Sequence, residues 1–436
     1  MNIHASSATT RRDFLKTSTT AVGGLLAVPA VLGTRASAAS PGETLRVGLI
    51  GCGGRGSGAA LQALQADPNA VLVAAGDAFA EPLEGSLKHL QGSQGVTERV
   101  KVEPTHRFVG LDAYRKVLDS GVDVVLLATP PGFRPQHLKA AVEAGKHVFC
   151  EKPMATDAPG VRSVMESARL AKEKHLALVA GFCWRYELAR REFFKRIHDG
   201  AAGEVCHVHA TYLTGPVKPM PPASSRPAGM GDVEWQLRNW YNFVWLSGDG
   251  LGEQACHSVD KIMWAMKDVP PLRCTGNGGR MVPNNEGNIF DHIDVFYEWQ
   301  NGARASMAQR QISNCYSDNS DYLNCAKGTG IIKGSAAPAI RGEASWRYAG
   351  PKKDMYQVEH DEMFASIRKG EPINDGVWMA QSTLAAIMGR MAAYTGQDIT
   401  WEQALHSQWK LVPDNLTWDM KLPIEPLAVP GKTKFV

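Results

Sequence analysis

The sequence predicts an α/β protein: a doubly wound parallel sheet first, then a second region built on a mostly antiparallel sheet. Three observations predict it. From Leu45 onward, short apolar runs alternate with helix-length segments, the rhythm of βαβ units. Residues 122–128 are apolar throughout, which suits a strand covered on both faces. Beyond residue 200 the pattern changes to period two, and Asn301-Gly302 stands between two such runs, the strongest short hairpin signal.

Taken in order, residues 45–50 form a first strand and 56–65 the helix after it. Residues 71–75 form a second strand ending at Gly76-Asp77, and a helix over 111–120 leads into the 122–128 strand. A helix over 135–144 precedes a strand at 146–150. In the second region, 205–214 and 289–299 alternate in character, and 303–312 returns after the Asn-Gly turn. Residues 216–231, rich in proline, glycine and serine, read as a surface loop.

A chain of 436 residues, 44% apolar and 21% charged, has room for two domains. A net charge of +3 without a basic stripe gives no reason to expect nucleic acid. No apolar run is long enough for a membrane span. The N-terminus is set apart from the fold: Arg11-Arg12 opens a twin-arginine pattern, a small apolar stretch follows, and Ala36-Ser37-Ala38 is a cleavage site. Residues 1–38 are therefore expected to be a twin-arginine signal peptide, making the mature protein periplasmic or otherwise exported, with no membrane insertion once the leader is gone. Eight cysteines lack C-x-x-C or zinc-like spacing, and several fall in apolar runs, where buried free thiol is expected.

Gly51-Cys52-Gly53-Gly54-Arg55-Gly56 contains G-x-G-x-x-G between a strand and a helix, and Asp77 ends the next strand. Gly51 permits the tight turn, Gly53 lets backbone approach a pyrophosphate, and the helix N-terminus offers free N–H groups. Asp77 would accept hydrogen bonds from the adenosine ribose and repel a 2′-phosphate. No arginine directly follows it, so NAD is expected rather than NADP. An exported enzyme meets little free dinucleotide, so the cofactor is expected to be tightly bound.

The stretch Ala144-Gly145-Lys146-His147-Val148-Phe149-Cys150-Glu151-Lys152-Pro153 resembles the Gfo/Idh/MocA oxidoreductases, the glucose–fructose oxidoreductase and inositol dehydrogenase relatives. So do Ala128-Thr129-Pro130-Pro131, the run from Ser247 to Asp260, and Gly389 to Gly396. The resemblance implies a Rossmann domain over 45–160 and a substrate-binding α/β domain over 161–436 with a large open-faced sheet. The active site would lie between them. It implies Thr129, Pro130, Glu151 and Lys152 at the cofactor, and Lys152 near the reacting oxygen. It also implies His257 as the base, acting with Glu253, where many members have aspartate. A homo-oligomer covering the open sheet face is implied as well.

The residues support these roles by their own chemistry. Imidazole titrates near working pH and suits a base for a hydroxyl proton. Glu253 and His257, spaced i, i+4, would share a helix face, and Lys152 would hold developing negative charge. Trp235, Trp240, Tyr241 and Trp245 precede this stretch, with Trp240 and Tyr241 taken as flat faces for a sugar ring. Arg185 is a further substrate candidate. His207 and His209 share a strand face without a third ligand at useful spacing, so no metal is expected.

The function expected is hydride transfer between a secondary alcohol of a sugar, glycoside or cyclitol and the nicotinamide. Two other readings remain. One is glycoside cleavage by transient oxidation and elimination; the other is a sugar-binding protein without catalysis.

Overall fold

The structure, a computed structural model, describes residues 42–435. The twin-arginine segment lies outside the described residues.

Six parallel strands form the first sheet: β1 (Leu45–Ile50), β2 (Ala70–Asp77), β3 (Arg107–Val109), β4 (Val124–Leu127), β5 (His147–Cys150) and β6 (Leu178–Ala180). Their order is β3-β2-β1-β4-β5-β6, so the chain doubles back beside β1. β4 and β5 are buried at every position, as strands with both faces covered must be. Helices Gly54–Ala66 and Arg134–Glu143 bring their alanine and leucine stripes down onto the sheet. Helix Ala80–Gln91 was not anticipated: Pro82 and Gly85 mask its periodicity, although proline is harmless in a first turn.

The sheet continues past residue 160, because β6 lies beside β5. Residues from far downstream complete this layer. Val358, Met363, Phe364 and Ile367, on helix Met355–Lys369, belong to the apolar core formed by β1, β2 and helix Gly54–Ala66. Beside β6, the Leu178 N–H donates to the Ile373 carbonyl at 2.8 Å, and the Asp375 N–H donates to the Leu178 carbonyl at 2.9 Å.

The second sheet has nine strands: β7 (Val205–Thr214), β8 (Arg273–Gly279), β9 (His292–Glu298), β10 (Arg304–Gln311), β11 (Ser320–Cys325), β12 (Gly328–Lys333), β13 (Ala339–Gly342), β14 (Trp346–Arg347) and β15 (Ile399–Thr400). In spatial order they run β14-β13-β12-β11-β7-β10-β9-β8-β15. Neighbours are antiparallel except β7 and β10, which run parallel. The Asn-Gly signal marks the β9–β10 hairpin, where Glu298 faces Arg304 and Gly302 takes a φ of 83°.

Helix Gly376–Thr395 covers one face of this sheet. It lies close because Gly389 has no side chain: a Cβ there would sit 2.8 Å from the Tyr297 hydroxyl. That hydroxyl donates to the Ala385 carbonyl at 2.8 Å. The other face carries His207, His209, Ser306 and a half-exposed Phe296. Residues 216–231 form the expected loop, with one short turn at Ala223–Ser225. All eight cysteines are unpaired, five of them buried. No helix among the described residues is long and apolar enough to cross a membrane.

Candidate active site

One cavity of about 610 Å³ runs from the glycine-rich loop to the second sheet. The loop is shaped by approach distances. Gly51 adopts a φ of 92°, and a Cβ on it would meet the backbone of Ala128 and Thr129 at 2.7 Å. Gly56 packs its helix onto the loop, since a Cβ there would lie 1.9 Å from the Gly51 carbonyl. Gly53 faces open space on the cavity wall. Helix Gly54–Ala66 starts here with no side-chain cap, leaving its first N–H groups for a ligand. A pyrophosphate fits this cradle on each count.

Of the expected cofactor residues, Gly51, Gly53, Gly54, Arg55, Gly56, Asp77, Thr129, Pro130, Glu151 and Lys152 all line the cavity. Cys52 does not: its side chain is buried, while its N–H donates to Asp77 Oδ2 at 2.7 Å. Asp77 also accepts from the Phe79 N–H at 3.0 Å, so backbone fixes the carboxylate at the end of β2. Arg55 turns away from a phosphate role. Its guanidinium bonds Glu151 and reaches Glu359 at 3.3 Å and Gln62 at 2.8 Å.

At the far end of the cavity, Lys152 donates to both the carbonyl and the side chain of Glu253, with Nζ to Oε1 at 3.4 Å. Both residues are buried. Burial pulls the Lys152 ammonium down, but the charges of Glu253 and Glu151 outweigh it and hold the group above the ordinary lysine value. Glu253 Oε2 is buried with no hydrogen-bond partner, although the residue lines the cavity. A buried acceptor of this kind in a cavity wall can take a donor from a water or a ligand.

Glu253 does not meet His257 as the i, i+4 spacing suggested. Helix Asp249–Glu253 ends at Gln254, whose φ of −109° and ψ of −56° break it, and a new helix begins at Cys256. The carboxylate turns to Lys152 instead. His257 stands over the cavity with Trp184 at 5.0 Å and Phe182 at 6.1 Å between ring centroids. Burial, then the nearby charges of Lys152, Lys261 and Arg190, holds its imidazolium well below the ordinary range, so it is a neutral base. Lys261, paired with buried Asp321, lies 3.9 Å from the Trp184 ring centroid.

Two substrate candidates are displaced. Arg185 is absent from the cavity wall: it pairs with Asp260 at 2.8 Å and Asp268 at 2.6 Å, and lies over Trp378. Tyr241 is buried and its hydroxyl accepts from Gln311 at 2.6 Å. Trp240 does line the cavity, whereas Trp235 and Trp245 bond Glu286 and Gln236 in the packing beside it. Tyr212 and Gln254 were missed. They line the cavity and share a 2.8 Å hydrogen bond, and only the alternation of β7 could have drawn attention to Tyr212. His209 bonds Ser306 at 2.7 Å, and no group of three or more metal-ligating side chains stands together among the described residues.

Comparison with known proteins agrees with this geometry. Residues 45–182 match the model of the GFO_IDH_MocA oxidoreductase family, NAD-binding Rossmann fold. The chain is 33% identical to inositol 2-dehydrogenase 4 of Saccharopolyspora erythraea over 175 residues, 40% of this chain and 47% of that protein. It is 24% identical to the inositol 2-dehydrogenase of Rhizobium meliloti over 349 residues, 77% and 93% of the two chains. The chain spans about half the length of several curated relatives it matches. Among solved structures, the aldose-aldose oxidoreductase of Caulobacter crescentus superposes with a TM-score of 0.63 at 20% identity, covering 82% of this chain and 100% of that one.

Proposed function

Because the chain carries the NAD-binding Rossmann fold of the Gfo/Idh/MocA oxidoreductase family at residues 45–182, we propose that it is a sugar or cyclitol dehydrogenase with a tightly held NAD. The observation that carries this reading is the Lys152–Glu253 pair beside a neutral His257, in the cavity that begins at the glycine-rich loop. Inositol dehydrogenation by the named relatives supports a polyol substrate.

When bound at this cradle, the nicotinamide would supply the hydride acceptor. His257 takes the hydroxyl proton, a role open to it only while neutral. Lys152, kept charged by Glu253, holds negative charge on the reacting oxygen. The unpartnered Oε2 of Glu253 accepts from a neighbouring hydroxyl and sets the ring's position. Trp240 and Trp184 offer flat apolar faces to ring C–H groups. Asp77, bonded by two backbone N–H groups, favours NAD over NADP. The twin-arginine segment supports export with the dinucleotide already in place, recycled by a second substrate. Pairing of copies across the face bearing Phe296 would cover it.

The test is to purify the exported protein without added cofactor, denature it and identify what is released. Stoichiometric NAD(H), followed by NADH formation with a sugar or cyclitol, is the expected result. An empty protein that binds no added dinucleotide would sink the proposal. Release of an aglycone without net NADH would assign the site to elimination chemistry instead.

A further inference from the structure

The cavity has a wall that the dinucleotide fold itself does not provide. Beside Asp77, Phe79 and Pro82 it is closed by Leu237 and Arg238 from the second region. The Arg238 guanidinium lies 4.1 Å from the Phe79 ring centroid and is tied to Glu81 at 3.3 Å and Glu234 at 2.8 Å. Behind it runs the C-terminal tail, which over the described residues 407–435 has neither helix nor strand. Trp418 packs on Phe79 at 5.6 Å. Discrete bonds fix the tail along its length: the Leu411 N–H to Asp157, the Leu422 N–H to Asp232, and Asn288 to the Glu425 carbonyl. Gln236, buried, donates to the Leu422 carbonyl at 2.7 Å. Leu416, Met420 and Ile424 join Phe79, Leu111 and Phe133 in one apolar cluster.

We propose that helix Asp232–Arg238 and the tail over 411–425 form a clasp across the adenosine half of the dinucleotide site. Arg238 is its contact and the tail its latch. The inference rests on the dinucleotide reading above and adds where retention comes from. Asp77 fixes the ribose end, so the Phe79 side takes the adenine. Arg238, held over the Phe79 ring by two carboxylates, is a cation at the edge of that pocket. Release of the nucleotide then requires helix and tail to part from Phe79. Because the tail is bonded at four points, that opening is slow.

The test is the release rate of bound NADH, followed by its fluorescence after mixing with excess NAD, in the full chain and in Arg238→Ala and Trp418→Ala. Both positions are more than a third exposed, so neither substitution threatens the core. Each is expected to speed release about tenfold, the scale of one cation–π or stacking contact. ADP-ribose, which lacks the nicotinamide, should lose affinity by the same factor. A loss confined to NADH would overturn the placement at the adenosine half. Unchanged release in both variants, from a wild-type chain that binds NADH, would overturn the clasp and leave the dinucleotide site standing. A wild-type chain that takes up neither NADH nor NADPH would overturn both.

Discussion

Lys152 and Glu253 are 101 residues apart and meet in the interior, so the ammonium is held above the ordinary lysine value although burial pulls it down. Replacing Lys152 with methionine keeps the volume and removes the charge. Turnover is expected to fall about 10²–10³-fold, the usual cost of losing one donor to developing oxyanion charge, with bound NAD(H) still released on denaturation. Glu253→Gln takes away the carboxylate that raises Lys152, so the alkaline limb of the rate profile should move to lower pH. His257 is held down, so it is protonated only as pH falls below the ordinary imidazole value of 6.5, and the acid limb of kcat/KM should lie below it. An acid limb at or above 6.5 would contradict the assignment. Gly51, Gly53, Gly56 and Asp77 follow from the glycine motif and its context, Lys152 and His257 from the family resemblance, and all six line the cavity. Arg185 was not legible, because its partners Asp260 and Asp268 come from distant chain and only packing decides which way it turns. The Glu253–His257 spacing misled because it presumes an unbroken helix, and Gln254 breaks it.

Helix Gly376–Thr395 shows an element whose sequence preference and packing oppose each other. In an exposed helix, Gly389→Ala would stabilise by about 1 kcal/mol through propensity. Here the new Cβ would meet the Tyr297 hydroxyl at 2.8 Å and Val295 at 2.9 Å. Overpacking of that kind costs roughly 1–3 kcal/mol, so we expect a net loss, read as a lower urea midpoint. At the glycine-rich loop the clash is with backbone, at 1.9 Å for Gly56, and nothing there can rotate away. Gly56→Ala should abolish NADH binding, measured by fluorescence titration. The aliphatic run before Ala128 and the Asn-Gly turn were readable because burial and turn chemistry impose local patterns. Strand β6, three residues long, and β3 were not, since so short a run has no period.

At the scale of the whole molecule, three buried histidines link stability to pH. Burial lowers His137 to about 3, His147 to about 4 and His360 to about 3. His147 must stay neutral at Nδ1 to accept the Ala177 N–H at 2.9 Å. Below the unfolded value of 6.5 the unfolded chain takes up protons that the folded one refuses, so stability falls with falling pH. At about pH 5 each histidine costs about 2 kcal/mol by linkage. Asp375, raised to about 6 chiefly by burial, acts oppositely: its contribution is present at low pH and shrinks as pH rises from 3.8 through 6. Asp249, Glu253, Asp260, Asp321 and Glu359 are raised by burial in the same sense as Asp375, so the histidine share is read by difference: His147→Gln should lose less melting temperature than the wild-type chain between pH 6.5 and 4.5. The first sheet's core is closed by Val358, Met363, Phe364 and Ile367, and its last strand is edged by residues 373–375. On the ribosome, then, the dinucleotide fold has all its own strands long before it has its missing wall. A nascent chain stopped after residue 182 would present an open hydrophobic flank to chaperones, and the fold would become protease-resistant only near the end of translation.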